Sequence, residues 1–412
     1  MGDSKADQLS ELTASLVRID TTNPPGDVTK AAEYIKEWLA KRGFSAKIYE
    51  YQRGKPNVVA RVGSGKPVLI LNGHTDVVPP GDVGKWTVPP FSGKIVEGRI
   101  YGRGSTDMKG GLAVIMAAFA DIAPAVEKAG AGSLVLAATA DEEVGGHAGV
   151  EALVKDGVLS GDAAIVAEPS GPDKYCIGEK GLSQVKLVAR GKPAHGSLPL
   201  LGENAIVKLI KAVEEASKIV DEINRGIALP RDLAEAVENS ARLYLESALR
   251  SGLRLSEEDF RKVIGSVSFN PGVIRGGSKI NMVPDYAELE LDMRVPPGVS
   301  PKDVVERLRK GLAGLAEVEA IDTSEPNYTP SGERIVGLVR EGIAAQGMRP
   351  KPIIMTGATD GRYLRMRGIP TVIYGPGELT LAHTYDEYVS VEDLVLTYNT
   401  IIYTIKKYFN IS

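Results

Sequence analysis

The sequence predicts an α/β protein: a mainly parallel sheet flanked by helices in a discontinuous domain, with a ferredoxin-like α+β domain inserted into it. Three observations carry this prediction. In the first part of the chain, short uninterrupted apolar runs alternate with helical patterns, the rhythm of a mainly parallel sheet covered by helices. A strand-helix-strand-strand-helix-strand order then occupies the middle. Towards the end the α/β rhythm returns. The chain has 412 residues, nearly three times the ~150 that serve as a guide per domain, so two or three domains fit.

Taken in order, Leu9 to Ile19 and Val28 to Lys41 are amphipathic helices, the second rising after the breaker Asn23-Pro24-Pro25-Gly26. The apolar runs Val68 to Leu71, Leu134 to Ala138 and Ala163 to Ala167 are bounded by Gly or polar residues, as strands buried on both faces should be. Between the first two lies a helical stretch, Leu112 to Ile122. From Gly181 the pattern changes. Leu182 to Arg190 alternates as a half-buried strand, and Asn204 to Val220 is helical. Ser266 to Ile274 and Ala287 to Val295 look antiparallel, before a helix at Pro301 to Leu312 and a strand near Val318 to Ile321. From about Asn327 come strands at Pro352 to Met355 and Thr371 to Tyr374, then a closing helix at Val391 to Tyr408. These patterns place one domain at 1–180 and 326–412. The inserted domain is 181–325, interrupted by a charged helical stretch near 221–262.

Composition narrows the function. Hydrophobic residues make up 43%, charged residues 25%, and the formal net charge is −4. That is ordinary for a folded chain and lacks the basic excess of a nucleic-acid binder. The single cysteine, Cys176, excludes an intrachain disulfide and reads as a small buried hydrophobe in a reducing, cytoplasmic setting. Met1 to Leu12 contains no apolar signal core, and no uninterrupted apolar run approaches the ~18 residues of a membrane span, so no membrane partner is expected.

In open α/β sheets, ligands gather beyond the carboxyl ends of the strands, so the residues just after each apolar run are a direct test for a site. After Val68 to Leu71 come His74 and Asp76. After Leu134 to Ala138 come Asp141-Glu142-Glu143, after Ala163 to Ala167 comes Glu168, and the last strand leads to His383. Asp107 sits where the Gly-rich loop Tyr101 to Thr106 enters a helix. Taken singly, a strand-end acid is more often a solvated loop residue or a helix cap, and a lone histidine is usually surface or satisfied core. His147 is read that way. Four strand ends of one sheet presenting acid or imidazole change the balance.

Imidazole and carboxylate together suit zinc, manganese or cobalt, and the lack of cysteine ligands argues against a structural zinc site. Asp107, Glu143 and Glu168 supply three negative charges, which two divalent ions would balance to a residual +1, an arrangement suited to activating water and polarising a carbonyl. His74 and Asp76 are two apart, so an extended chain would let Asp76 accept the second ring N–H of His74. Adjacent Glu142 and Glu143 would face opposite ways, one binding metal while the other takes a proton.

Together His74-Thr75-Asp76-Val77-Val78-Pro79, Gly102 to Gly111, Asp141-Glu142-Glu143, Ala167-Glu168-Pro169-Ser170 and Ala382-His383-Thr384 resemble the dizinc aminoacylase/carboxypeptidase metallopeptidase family. Acetylornithine deacetylase, succinyl-diaminopimelate desuccinylase, aminoacylase and carboxypeptidase G belong to it. The resemblance runs in order along nearly the whole chain. It implies Asp107 as bridging ligand, His74 and Glu168 on one metal, Glu143 and His383 on the other, Glu142 as general base and Asp76 as support. It also implies that the inserted domain is a lid that mediates dimerisation. On that lid, Lys192 to Ser197 resembles the segment whose histidine, His195, stabilises the oxyanion, often from the partner subunit. Lys279 to Pro284 resembles the loop whose asparagine, Asn281, reaches the substrate. Leu291 to Arg294 resembles the strand whose arginine, Arg294, holds a substrate carboxylate. Gly357 to Arg362, with Thr359, resembles a further substrate-side loop. For Asn281 and Arg294, a turn residue and a strand-edge ion pair are the plainer readings.

Other glycine motifs fail. Gly63-Ser64-Gly65-Lys66-Pro67 lacks the first Gly and the final Ser or Thr of a phosphate loop, and no Gly-x-Ser-x-Gly elbow precedes a helix. The expectation is therefore a two-metal hydrolase, with zinc first and cobalt or manganese as alternatives. It would cleave the amide bond of N-acyl amino acids or small peptides with a free carboxylate, as a homodimer joined through the lid. A carboxypeptidase, a dipeptidase or an aminopeptidase is the enzymatic alternative. A metal-dependent binding protein is the non-enzymatic one, and Glu142, dispensable for holding a ligand, counts against it.

Overall fold

The computed structural model describes residues 4–412. Residues 1–3 of the segment Met1 to Leu12 therefore lie outside it. The chain divides into two compact units. One comprises Met1–Ile177, Thr329–Ile353 and Thr359–Ser412, and the other Gly178–Tyr328 with Ile354–Ala358.

In the first unit the strands lie in the order Ala46–Glu50, Pro56–Gly63, Ser133–Thr139, Val68–His74, Ala163–Pro169 and Thr371–Gly375. Next comes Lys174–Glu179, within which the chain leaves the unit. The sheet is mixed, which corrects the expectation of a mainly parallel one. Ser133–Thr139, Val68–His74, Ala163–Pro169 and Thr371–Gly375 pair parallel. The outer pairings are antiparallel. Those outer strands are not legible in the sequence for a physical reason. Ala46–Glu50 has no buried residue and carries no apolar run, and an antiparallel partner needs only a short connection. The central strands are legible because every residue of Val68–His74, Ser133–Thr139 and Ala163–Pro169 is buried.

Helices cover the sheet. Gly110–Ala129 packs on the central strands and meets Lys5–Val17 and Val391–Phe409. Among the described residues, Ser105–Ala129 is the one helical stretch long and apolar enough to cross a membrane, although polar residues interrupt its apolar run. Its apolar length is core: Leu112 to Phe119 are each no more than 7% exposed.

In the second unit the order is Gly181–Arg190, Ala205–Arg225, Asn270–Gly276, Tyr286–Val295, Pro301–Gly311 and Glu317–Ser324, strand-helix-strand-strand-helix-strand. The sheet runs Asn270–Gly276, Tyr286–Val295, Gly181–Arg190, Glu317–Ser324, all antiparallel, which is the ferredoxin-like arrangement. Asn204 caps the first helix by accepting from the Val207 N–H at 3.1 Å. That helix runs to Arg225, so the interrupting stretch begins after it and folds into Ala234–Arg250 and Glu257–Gly265.

Candidate metal centre and active site

His74, Glu142, Glu143 and Glu168 stand at or just after the ends of buried strands of the first unit. His74 is the last residue of Val68–His74. Glu142 and Glu143 open the tight turn three residues after Ser133–Thr139. Glu168 closes Ala163–Pro169 one residue before its end. Asp107 lies in the irregular turn Ser105–Lys109, and His383 adopts a left-handed backbone (φ 64°) after Thr371–Gly375.

These residues converge. His74 Nε2 is 3.1 Å from Asp107 Oδ1 and 3.3 Å from Glu168 Oε1, with Glu142 Oε2 at 3.9 Å. His383 Nε2 is 3.2 Å from Asp107 Oδ2 and 3.4 Å from Glu143 Oε2. His74 is 1% exposed, whereas the His383 side chain is 52% exposed and forms the open side of the cluster.

The support for His74 differs from the expectation in one respect. Its Nδ1 lies 2.9 Å from the main-chain carbonyl of Asp76, while the Asp76 carboxylate is at 3.7 Å, beyond hydrogen-bonding range. That carboxylate is otherwise engaged. It accepts from Asn23 Nδ2 at 2.8 Å and from the N–H groups of Glu142 and Glu143, both at 3.2 Å. Asp76 thus orients His74 through its backbone and the two glutamates through its side chain. The carbonyl favours the tautomer that leaves Nε2 bare towards the cluster.

The electrostatics follow from acids crowded in a buried site around two imidazoles. Burial, then the charge of Glu168, pushes the Glu142 carboxyl well up, and burial followed by Asp107 raises Glu143. Glu168 is pushed to about 8 by burial and then by Asp107. Burial works against a charged His74, but Glu168 and Asp107 outweigh it and raise the ring. His383 reaches about 10 through its hydrogen bonds to Asp107 and Glu143. Asp107 is held far below the usual range: burial opposes its charge, and both histidines override it. Four carboxylates share two imidazoles, and added cations would relieve their repulsion. Donor atoms of His74, Asp107 and Glu143, and of His74, Glu142 and Glu168, lie within 4.8 Å of one another in each group. The oxygen and nitrogen donors fit divalent zinc, cobalt or manganese.

Asp360, Lys55, Asp141 and Lys109 lie near the cluster without a role read for them from the sequence. Asp360 is 1% exposed, accepts from Thr139 Oγ1 at 3.0 Å, and is pushed up to about 7 chiefly by burial. Lys55 and Asp141 form a buried pair beneath the Glu142 turn, and Lys109 donates to the Ile19 carbonyl at 2.7 Å. Thr359 packs behind this region, its hydroxyl accepting from the Gly361 N–H at 3.1 Å. His147 lies at the surface against Glu151.

His195, Asn281 and Arg294 belong to the second unit. His195 pairs with Met282 across two short strands, and the Gly196 N–H donates to the Asn281 carbonyl at 2.8 Å, which brings His195 and Asn281 together. Arg294 is not with them. The strand carrying it pairs Tyr286 with Arg190 and Arg294 with Leu182, so eight residues, roughly 27 Å, separate Arg294 from the loop end. Its guanidinium holds Asp292, with Nε 3.0 Å from Oδ1.

A sequence model of peptidase family M20/M25/M40 matches residues 70–407. A probable succinyl-diaminopimelate desuccinylase from Staphylococcus aureus is 29% identical over 402 residues, covering 94% of each chain. The fold is similar to that of an M20 family metallo-carboxypeptidase from Sulfolobus solfataricus (TM-score 0.79, 23% identity, 98% of this chain and 100% of that one). It is also similar to a dinuclear metal-binding M20 peptidase from Bacillus subtilis (TM-score 0.63, 15% identity, 97% of each).

Proposed function

The chain belongs to peptidase family M20/M25/M40, and on that premise we propose that it is a two-metal hydrolase of the desuccinylase and deacylase type, cleaving the amide bond of N-acyl amino acids or small peptides that carry a free carboxylate. One observation carries the reading. The two oxygens of Asp107 face different histidines, at 3.1 and 3.2 Å, and each histidine has its own glutamate, Glu168 for His74 and Glu143 for His383. In this reading Asp107, His74 and Glu168 would hold one ion, and Asp107, Glu143 and His383 the other. Zinc is the first choice, with cobalt or manganese as alternatives. Bound there, the ions would supply polarisation of the scissile carbonyl and a water acidic enough to attack at neutral pH.

The chain's own residues supply the rest. Asp107, Glu143 and Glu168 each contact a histidine within 3.4 Å, but among the described residues the Glu142 carboxylate accepts no hydrogen bond. Glu142 is therefore the carboxylate left to take a proton from the attacking water and deliver it to the leaving amine. Asp76 fixes the main chain of Glu142 and Glu143 so that the two side chains diverge. His195 would stabilise the oxyanion, and Asn281, Thr359 and Arg294 would bind substrate. These roles rest on motif likeness, and Arg294 would have to exchange Asp292 for the substrate carboxylate. Dimerisation through 181–325 is supported by the edge strand Asn270–Gly276, exposed at every residue, and a cytoplasmic setting by the single, buried Cys176.

The test is a panel of N-acetyl and N-succinyl amino acids and unblocked dipeptides presented to metal-loaded protein. Turnover of the acylated compounds supports the reading, and turnover of the dipeptides alone selects the carboxypeptidase or dipeptidase alternative. No turnover with both ions bound would leave a binding protein.

A further inference from the structure

We propose that Glu387 and Arg103 form a buried clamp that sets Asp107 relative to His383, and with it the affinity of the site for its ions. The proposal rests on the two-metal reading above. Asp107 and Met108 depart from helical dihedrals (φ −116°, ψ 96° and φ −131°, ψ 31°), so this turn cannot satisfy its N–H groups by a regular helical ladder. Glu387 satisfies them. Its Oε1 accepts from the N–H of Thr106 at 2.9 Å and of Asp107 at 3.1 Å, and its Oε2 receives Arg103 Nη1 at 2.5 Å. Both side chains are buried, Glu387 at 0% and Arg103 at 2% exposure.

The main chain doubles the link. The Gly102 N–H donates to the Glu387 carbonyl at 2.9 Å, and Thr106 Oγ1 to the Tyr388 carbonyl at 2.5 Å. Glu387 lies four residues after His383, on a segment whose histidine is half exposed and has little packing of its own to hold it. One side chain therefore ties two metal-binding segments that are some 280 residues apart in sequence. A buried ion pair is weak as a stabiliser, because desolvation offsets its attraction. Its distinctive product here is geometry: two main-chain N–H groups aimed at one carboxylate oxygen, beside the bridging residue.

A positioning role and a structural role diverge in a double variant. Arg103→Met/Glu387→Met removes both charges and keeps the volume, so loss of the ion pair itself should cost little, and its melting temperature should fall only by what the two orphaned N–H groups cost. The N–H groups of Thr106 and Asp107 would still lack their acceptor. Metal-stripped protein is titrated with Zn²⁺ against a chromophoric chelator, and separately with Co²⁺, whose visible absorption reports the ligand geometry. We expect Glu387→Gln and the double variant both to bind at least ~10-fold more weakly, with an altered Co²⁺ spectrum. Arg103→Lys, which keeps a charge for Oε2, should recover most of the affinity. Should Glu387→Gln not fold, the double variant carries the test. Affinity within about twofold of the unaltered protein, with an unchanged Co²⁺ spectrum, would overturn the clamp alone. An unaltered protein that takes up no ions would overturn the two-metal reading and the clamp with it.

Discussion

Glu142 and Glu143 are neighbours in sequence with opposite tasks in this account, and glutamine at each position separates them. The Glu142 carboxylate makes no hydrogen bond among the described residues and sits 3.9 Å from His74 Nε2. Glutamine there removes the proton acceptor while leaving every described donor satisfied. Metal content and fold should be unchanged, and kcat should fall by at least ~10², the usual share of a general base, equivalent to about 2.7 kcal/mol of activation free energy. Glu143 is held at both oxygens: Oε1 accepts from the Val78 N–H at 3.2 Å, and Oε2 is 3.4 Å from His383 Nε2. Glutamine can keep only one of these as an acceptor, so its amide NH₂ must face either a donor or the metal. Glu143→Gln should lose metal. The assay is elemental analysis of each purified variant beside its kcat. A metal-depleted Glu142→Gln with a fully loaded Glu143→Gln would refute the assignment.

Arg294→Ala should lower kcat/KM for substrates with a free carboxylate by roughly 10- to 100-fold, the worth of a charge-assisted hydrogen bond, and leave amidated analogues nearly unchanged. Equal losses would reduce Arg294 to its ion pair with Asp292. If His195 serves the partner's site, refolding an equal mixture of inactive His195→Ala and Glu142→Ala chains should restore about one quarter of full activity, because half the dimers are mixed and each holds one intact site. No recovery despite confirmed mixed dimers would place His195 in its own subunit's site or outside catalysis. Lys180 donates to the Val263 and Ser266 carbonyls at 2.7 and 2.6 Å, and burial, then Arg294, pushes its amine down to about 7. Between pH 7 and the unfolded value of 10.5 the unfolded chain holds a proton there that the folded chain has shed, so stability rises with pH across this window. Lys180→Met should remove about 1.4 kcal/mol per pH unit from that slope, read by denaturant titration at several pH values. An unchanged slope would show that Lys180 stays protonated when folded.

The sequence exposed those parts of the structure whose signal is local. Val68 to Leu71 and Ala163 to Ala167 are continuous apolar runs because both faces of those strands are buried, and the chemical residues come at once because the chain emerges there. The Ala46–Glu50 and Pro56–Gly63 hairpin and the helix Arg334–Ala345 were missed. The hairpin's outer strand buries too little to be patterned, and the helix lies in a segment read only as a return to α/β. Supporting residues were hidden more deeply. Nothing about Asn23, Lys55 or Glu387 as local sequence marks them, since their partners Asp76, Asp141 and Asp107 lie 53, 86 and 280 residues away. The spacing of His74 and Asp76 suggested a carboxylate partner for the imidazole. The structure supplies the carbonyl instead, because three other donors occupy that carboxylate.

The central claim is that two ions held around Asp107 enable amide hydrolysis, and the most direct measurement is activity against metal content. Metal-stripped protein is reconstituted stepwise with Zn²⁺, and hydrolysis of an N-succinyl or N-acetyl amino acid is followed at each ratio. The account predicts no turnover without metal and a rise that levels off at two ions per chain, since the two donor sets share Asp107 and are each completed by a separate histidine and glutamate. Full activity in metal-stripped protein, or no activity towards any acylated or peptide substrate with two ions bound, would contradict it.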